Sequence, residues 1–343
     1  MTERHPQPGP ARHHAGRRAS AFCLALAAGL LVAGCSGGLS TLEPAGRDAE
    51  RLTTLFWWMA GGAVVVWLVV IGLTLYALRV EPHAHDRRAA VFIIGGGTVF
   101  PTVVLAALLS YGLSIMPEVM AQPPEGGLEI AVSGEQWWWR VRYLPPGGEP
   151  VELANEIRLP VGERVRVSLD SPDVIHSFWV PALTGKMDMI PGRTNHLALE
   201  PTRTGVFHGA CAEYCGTSHA LMQLRVVVTE RAEFDRWLAQ QARPAAPPAD
   251  ALAARGRELF LADGCGACHA VRGTPADGAV GPDLTHVGSR LTLAAGVLPN
   301  EPAAFERWLA NTNLVKPDAH MPAFGMLPAE DLAALAAYLE SLQ

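Results

Sequence analysis

One short stretch of the chain concentrates side chains that bind soft metal ions. Between positions 211 and 222, here called the cysteine loop, lie two cysteines, a histidine and a methionine, with a glutamate between the two cysteines. Thiolate, imidazole and thioether ligands select copper over magnesium or calcium. A second imidazole would complete the set, and His176 is the candidate. Two cysteines with two histidines could also hold a structural zinc ion, although zinc would leave the methionine and the glutamate without a role.

The spacing of the cysteine loop resembles a known copper site. Its pattern C-x-E-x-C-x3-H-x2-M matches the dinuclear copper (copper A) loop of cytochrome c oxidase subunit II, and residues 136–139 and 188–193 resemble the same family. The resemblance covers roughly residues 52–237. It implies two bridging cysteines, two terminal histidines and two weak ligands, a methionine and a glutamate carbonyl. In chain order the implied ligands are His176, Cys211, Glu213, Cys215, His219 and Met222.

The same resemblance gives two further side chains a role. Three consecutive tryptophans on a strand cannot all face one side, and in the family the first aromatic of this cluster lies at the surface over the copper, where electrons enter. That residue matches Trp137; the alternative is that all three tryptophans simply pack. The family also uses the side chain that matches Glu213 to hold a magnesium ion at the junction with subunit I. One carboxylate cannot supply an octahedral magnesium site, so the other protein ligands would come from the partner; the alternative is a plain surface charge.

A second motif lies near the C-terminus. Cys265, Cys268 and His269 form the C-x-x-C-H signature of covalent c-type haem attachment. The five residues alone could also be a redox dithiol. The surrounding order favours haem, because a helix-like segment precedes the motif, and residues 281–284, a Met-Pro pair and a last helix at 329–342 follow it.

This order of motifs resembles class I cytochrome c over about the last hundred residues. The resemblance implies thioether bonds at both cysteines, His269 as the proximal haem ligand and Met321 as the distal one. Histidine–methionine ligation raises the potential of a haem, as a carrier near the end of a respiratory chain requires. Met326 and His320 compete for the distal position, but neither stands in the Met-Pro context that the family uses.

Composition limits the class of protein. Of the 343 residues, 49% are hydrophobic and 17% are charged, which favours a membrane protein with a substantial part outside the membrane. The net charge of −6 argues against nucleic acid as a partner. Six cysteines in an exported protein would normally suggest disulfides. Each cysteine here has another assignment, so we predict no disulfide.

The first part of the chain predicts export and membrane anchoring. Arginines followed by an apolar run at 21–33 are typical of a signal peptide, and the run ends in a sequence that resembles a bacterial lipobox, with Cys35 as the lipidated residue. The alternative is that Cys35 is an ordinary residue of an uncleaved helix. Apolar runs at 56–78 and 91–116 are each long enough to cross a bilayer. Arginines between them place the connecting loop in the cytoplasm, and small residues in the second run favour packing against a larger subunit.

The remaining segments divide the chain into units. Short alternating or apolar segments between about 128 and 228 predict an all-β sandwich or barrel, and the family implies a cupredoxin-like Greek key. A proline-rich stretch at 243–249 is extended and marks a boundary. We predict a signal peptide at 1–34, an anchor with two transmembrane helices at 35–118, a copper A domain at 119–240, a linker at 241–250 and an all-α class I cytochrome c domain at 251–343.

The two resemblances together imply the electron-input subunit of a caa-type terminal oxidase. Electrons would pass from cytochrome c or another donor through the fused c haem and copper A to subunit I, where oxygen is reduced. Subunit I and subunit III are the implied membrane partners, and proton pumping would belong to the complex. The chain would sit in a bacterial cytoplasmic membrane, with the copper and haem domains on the periplasmic face.

Other classes fit less of the sequence. A quinol oxidase subunit lacks the copper ligands, and nitrous oxide reductase lacks a membrane hairpin. A non-enzymatic copper carrier would have no use for a haem. The alternative that stays open is a nitric oxide reductase that receives electrons through copper A.

Overall fold

A computed structural model of the chain describes residues 37–80, 86–119, 121, 123 and 126–343. The predicted signal peptide and Cys35, the predicted site of lipidation, lie outside the described residues. The described part consists of a helical hairpin, a β-sandwich and a small helical domain, which confirms the multidomain fold class.

The hairpin has two helical arms of 31 residues each, Arg47–Ala77 and Ala89–Val119, with mean hydropathies of 2.2 and 2.1. Helix α1 is Arg47–Ala77. The second arm lies within a continuous helical segment made of α2 (Asp86–Ile94), a π-helical turn at Gly95–Val99, and α3 (Phe100–Val119). The widened turn ends just before Pro101, which has no N–H for an intrahelical hydrogen bond and whose ring crowds the preceding turn. Both arms are long and apolar enough to cross a membrane, as the sequence predicted.

The start of α1 is tied to the β-sandwich by buried charges. The carboxylate of Asp48 is 3% exposed and receives Arg51 at 3.3 Å and Arg164 at 3.6 Å. Arg164 also contacts Glu200 of the sandwich at 3.1 Å, and Arg51 pairs with Glu118 near the end of α3. One network therefore joins both membrane helices to the domain above them.

The β-sandwich is made of two five-stranded sheets. The strands are β1 (Glu129–Glu135), β2 (Trp138–Leu144), β3 (Val151–Ala154), β4 (Glu156–Pro160), β5 (Val165–Asp170), β6 (His176–Trp179), β7 (Met187–Met189), β8 (Asn195–Leu199), β9 (Gly205–Cys211) and β10 (Gln223–Thr229). One sheet has the order β3-β2-β1-β5-β8 and the other β4-β10-β9-β6-β7. Buried residues alternate along β1 and β10, as expected when one face of each sheet packs on the core. The predicted all-β domain is confirmed.

A short helix closes one end of the sandwich. Helix α4 (Arg231–Gln241) follows β10 directly. Its Phe234 and Trp237 rings lie 6.2 Å and 5.5 Å from the ring of Tyr143, which is fully buried. The core of the sandwich therefore continues into α4.

The C-terminal domain is helical, as predicted for a cytochrome c. It contains α5 (Ala251–Ala262), the short strands β11 (Thr292–Leu293) and β12 (Leu298–Pro299), then α6 (Pro302–Ala310), α7 (Thr312–Val315) and α8 (Ala329–Ser341). Helices α5 and α8 cross closely at Gly256, where a Cβ atom would lie 1.9 Å from the carbonyl oxygen of Ala334. Only glycine permits this approach, and the Phe260 and Tyr338 rings pack beside it at 5.6 Å.

The segment between α4 and α5 lies against the haem domain. The Ala245 N–H donates to the Arg272 carbonyl at 2.8 Å, and the Arg243 carbonyl pairs with the His286 ring at 3.0 Å. The proline-rich stretch at 243–249 was predicted to be extended and to mark a boundary. In the structure the segment packs onto the domain that it connects.

Candidate metal centre and haem cavity

The donor atoms that the sequence assigns to copper come together in the structure. The Cys211 and Cys215 sulfurs lie 3.8 Å apart. Nδ1 of His176 lies 3.8 Å from the Cys211 sulfur, and Nδ1 of His219 lies 3.5 Å from the Cys215 sulfur. The Met222 sulfur is 4.0 Å from that of Cys215. Soft sulfur and nitrogen donors at this spacing have the chemistry that copper requires.

Two strand ends position these donors. Cys211 is the last residue of β9, and His176 is the first residue of the neighbouring strand β6. The loop returns on itself, because the Cys211 N–H donates to the Met222 carbonyl at 2.9 Å. His176 and Met222 are fully buried. The rigid sheet thus brings a distant histidine to a local loop.

The remaining donor predicted from the sequence is a backbone atom. The carbonyl oxygen of Glu213 lies 3.2 Å from the Cys211 sulfur. The side chain of Glu213 is 40% exposed and lies 3.7 Å from the ammonium of Lys186. The residue therefore presents its carbonyl to the donor cluster and leaves its carboxylate partly accessible at the surface.

The electrostatics of the site favour an ionised thiol. The hydrogen bond from the Cys215 thiol, with help from His176, lowers the pKa of Cys211. The same hydrogen bond, together with burial, raises the pKa of Cys215. Burial alone would lower the pKa of His176, but its hydrogen bonds with Cys211 and Asp173 outweigh that effect and raise it. Of the two thiols, Cys211 is therefore the one that ionises more readily and can offer a thiolate to a metal ion.

Two side chains at this site were missed from the sequence. Asp173 contacts Nε2 of His176 at 2.8 Å and also accepts the Gln136 N–H at 2.7 Å. A carboxylate on Nε2 fixes the ring and leaves Nδ1 to face the sulfurs. The Gln136 amide donates to the Cys215 carbonyl at 2.7 Å. The Asp-x-x-His spacing was the available signal for the first contact, and for the second it was the position of Gln136 within the stretch 136–139 that resembles the family.

Trp137 lies between the cysteine loop and the C-terminal domain. Its indole N–H donates to the Cys215 carbonyl at 3.0 Å, and its ring lies 5.9 Å from the ring of His320. The expectation that Trp137 lies at the protein surface is wrong for this chain, because the residue is only 6% exposed, packed with the core of the sandwich on one side and facing the haem domain on the other. Trp139 is buried against Phe178, whereas Trp138 is partly exposed under Arg140. The three tryptophans thus have three different environments.

The C-terminal domain encloses a cavity of about 680 Å³ that opens towards the sandwich. The residues predicted to bind haem, Cys265, Cys268, His269 and Met321, all line it. Trp137 and Trp138 of the sandwich line its mouth. The competing methionine, Met326, is 77% exposed, whereas His320 also faces the cavity.

The histidine of the C-x-x-C-H motif is held for ligation. Nδ1 of His269 donates to the Pro282 carbonyl at 2.8 Å, which leaves Nε2 for a metal. Burial lowers the pKa of His269, so the ring is neutral, as a ligand must be. Gly281 is required beside it, because a Cβ atom there would lie 2.4 Å from the imidazole. The cavity and its neutral imidazole fit a covalently attached haem.

Comparisons with known proteins agree with both sites. The profile of the cytochrome c oxidase subunit II periplasmic domain matches residues 146–229, and the cytochrome c profile matches residues 253–343. A cytochrome c oxidase subunit 2 from Alkalihalophilus pseudofirmus is 33% identical over 335 residues, which cover 92% of this chain and 94% of the relative. This chain belongs to the cytochrome c oxidase subunit II family.

Two further members of the subunit II family are also similar to this chain, one over most of its length and one over about a third of it. The cytochrome c oxidase subunit 2 of Bacillus subtilis is 29% identical over 341 residues, covering 92% of this chain and 95% of that one. The crystal structure of the periplasmic domain of subunit II of the Bradyrhizobium japonicum cytochrome oxidase is 35% identical, with a TM-score of 0.32, and covers 34% of this chain and 95% of that one.

Membership of the subunit II family establishes the role of the chain. It is an electron-input subunit of a haem–copper oxidase, which is favoured over the nitric oxide reductase alternative. The matched domains imply copper A and a c-type haem, and subunit I is the implied partner. The two candidate spans fit a membrane subunit.

Proposed function

We propose that electrons pass within this chain from the c haem to copper A by way of Trp137, and then to subunit I. The observation that carries this is the position of Trp137. Its indole N–H bonds to the Cys215 carbonyl of the cysteine loop, while the residue also lines the mouth of the haem cavity. One residue therefore contacts both sites. When bound, copper A and the haem supply reversible one-electron chemistry, and the protein holds, orients and shields them.

For copper, the proposed ligands are those of the family. Cys211 and Cys215 would hold the two ions through their thiolates, His176 and His219 would bind through Nδ1, and Met222 with the Glu213 carbonyl would be weak ligands. Support comes from their contacts of 3.2 to 4.0 Å. Asp173 would fix the His176 ring from its far side. The buried setting of the donors would exclude water from the ions.

For haem, Cys265 and Cys268 would form the thioether bonds, with His269 as proximal and Met321 as distal ligand. The cavity that all four line supports this assignment. The Pro282 carbonyl, by accepting the Nδ1 proton, would hold the His269 ring in one orientation.

Finer features of the assembly are also proposals. The Glu213 carboxylate would help to hold a magnesium ion at the contact with subunit I, which agrees with its partial exposure. Subunit III would join the complex, and the complex would translocate protons. A soluble or membrane-bound cytochrome c would be the electron donor. The chain would be lipidated at Cys35 in a bacterial inner membrane, with its domains on the periplasmic face and the boundaries predicted from the sequence.

The test is the variant Trp137→Phe in the assembled oxidase. Phenylalanine keeps an aromatic ring but removes the N–H that reaches the Cys215 carbonyl. We expect rapid-mixing absorbance traces to show unchanged reduction of the haem by its donor and slower transfer from haem to copper. The control is Trp237→Phe, a tryptophan of α4 packed on Tyr143. Equal haem-to-copper rates in both variants would remove Trp137 from the route.

A further inference from the structure

Lysine is rare in this chain, and one of its two lysines is buried between two domains. Arginine supplies nearly all of the basic residues, and lysine occurs only at positions 186 and 316. Lys316 is 4% exposed. Its amine donates to the Trp137 carbonyl at 2.6 Å and to the Ala294 carbonyl at 3.0 Å. Burial lowers the pKa of Lys316 to about 7, and either protonation state of the amine has the two N–H groups that these bonds need.

The contact joins the two candidate sites. Trp137 belongs to the sandwich and touches the cysteine loop through its indole, while its carbonyl receives Lys316 of the haem domain. The residue after Lys316 is bound as well, since the Ser218 hydroxyl donates to the Pro317 carbonyl at 2.5 Å. The segment that leads to Met321 is thus attached to the segment that holds the cysteines.

The loop of the haem domain that accepts the second bond from the Lys316 amine has an unusual backbone conformation. Ala294 and Ala295 have φ angles of 51° and 58°, a region that residues with a side chain seldom occupy. The carbonyls of both face the interface, where Ala294 accepts Lys316 and Ala295 accepts the Gln223 N–H at 3.0 Å. A Cβ atom on the following residue, Gly296, would lie 2.6 Å from Cβ of Gln223. Strain of this kind persists only where the surroundings over-determine it, which here means the contact with the sandwich.

We propose that Lys316 is a positioning residue that holds the haem domain against the copper domain through the Trp137 carbonyl. The proposal rests on the proposed function, because it explains how the cavity and the cysteine loop keep one separation during electron transfer. A free tether would sample many separations. The buried amine selects one of them, since undocking would break its bond to the Trp137 carbonyl and leave that carbonyl without a partner until water reached it.

The test compares three variants of the full-length chain: Lys316→Met, Lys316→Arg and the control Arg255→Met. Methionine matches the length of lysine but donates no hydrogen bond, whereas arginine keeps a donor. Arg255 is a half-exposed cation of α5 that pairs with Asp331 within the haem domain. Hydrogen–deuterium exchange is followed at the Gln223 and Leu291 amides, which bond across the interface to Ala295 and Glu156.

We expect exchange at both interface amides to accelerate about tenfold or more in Lys316→Met, the effect of leaving the buried Trp137 carbonyl without its partner across the interface. Lys316→Arg should restore part of the protection, and Arg255→Met should match the wild type. In the assembled oxidase, donor-to-haem transfer should stay unchanged in Lys316→Met while haem-to-copper transfer slows. Unchanged exchange in Lys316→Met would overturn the proposal even if electron transfer slowed.

A measurement on the wild-type chain covers the case in which Lys316→Met does not fold. An amine-acylating reagent should modify Lys186, whose side chain is 47% exposed, much faster than Lys316. Equal rates for the two lysines would overturn the proposal. If the wild-type chain binds neither copper nor haem, the proposed function fails, and the exchange result still decides the docking role of Lys316.

Discussion

The cysteine loop and the haem cavity assemble their donors in opposite ways. The copper donors already touch one another, and three of them, His176, Cys211 and Cys215, have ligand atoms within 4.8 Å and are buried. The haem donors instead line an open volume, in which Cys268 is exposed and Cys265 is only partly buried. The difference follows from the size of what each site holds. Two copper ions fit between the donor side chains, whereas the haem macrocycle takes the place of side chains in the hydrophobic core of its domain.

The comparison predicts that the two domains differ in their dependence on the bound group. The sandwich has a continuous core of its own, with Trp139, Val141 and Phe178 fully buried. In the haem domain, core side chains such as Phe305 and Leu335 line the cavity itself. Copper should therefore bind to a folded sandwich, while haem should be part of the fold of its domain.

The largest expected effect comes from preventing haem attachment with Cys265→Ala and Cys268→Ala together. Without haem, the cavity of about 680 Å³ would leave core side chains such as Phe305 and Leu335 in contact with water instead of with a macrocycle. The haem domain should therefore be strongly destabilised, and limited proteolysis should trim the chain back to the sandwich. The electron paramagnetic resonance signal of copper should persist. A haem-free C-terminal domain that resists the protease would contradict the claim that haem is part of the fold of that domain.

The next largest effect is expected for Cys215→Ser. The Cys215 sulfur contacts the donor atoms of Cys211, His219 and Met222, so its loss disrupts the whole donor set. Electron paramagnetic resonance should show no dinuclear copper signal. The haem spectrum and the resistance of both domains to protease should stay as in the wild type. An electron still shared over two coppers would contradict the bridging role.

A smaller effect is expected for Met321→Leu. The exchange conserves volume, and such replacements in a core usually cost less than about 1.5 kcal/mol. The haem should stay attached through the two cysteines and His269, but the near-infrared band of sulfur-to-iron ligation should vanish. Met326→Leu is the matched control, because that side chain is 77% exposed. If the band persists in Met321→Leu and vanishes in the control, the distal role passes to Met326.

The smallest effect is expected for Glu213→Gln. The substitution leaves the carbonyl near Cys211 in place, so copper should bind as before. Loss of one ligand charge should weaken magnesium or manganese binding in the assembled oxidase by about tenfold. Titration of bound manganese measures this. Equal affinity in wild type and variant would make Glu213 an ordinary surface charge.

Local patterns allowed most of the fold and of the donor set to be predicted. The cysteine loop and the C-x-x-C-H motif are short, so their spacing alone indicated the chemistry. The membrane helices followed from hydrophobic length, and β1, β5 and β10 from alternation. His176 could be named from the sequence only as a candidate, since its approach to the loop depends on the pairing of β6 with β9.

What could not be predicted depends on contacts between domains. No local pattern indicates that Lys316 meets the Trp137 carbonyl, because the two residues are 179 positions apart. Contacts of this kind contribute to the burial of Trp137, which the family resemblance placed at the surface. The proline-rich composition at 243–249 predicted an extended segment but could not show that it would lie against Arg272 and His286.

The length of α1 has a geometric consequence for the whole subunit. At 1.5 Å per residue, a helix of 31 residues is about 46 Å long, and a bilayer core takes up about 30 Å of it. The part of α1 that extends beyond the bilayer core ends at the charged network of Asp48, Arg51 and Glu118. The helix is therefore a fixed stalk, in which the rotation about the helix axis and the distance along it are set together. Inserting a single residue just after Arg51 would turn the rest of the helix by about 100° relative to that network. Subunit II chains built this way should tolerate changes of sequence within the stalk far better than changes of its length.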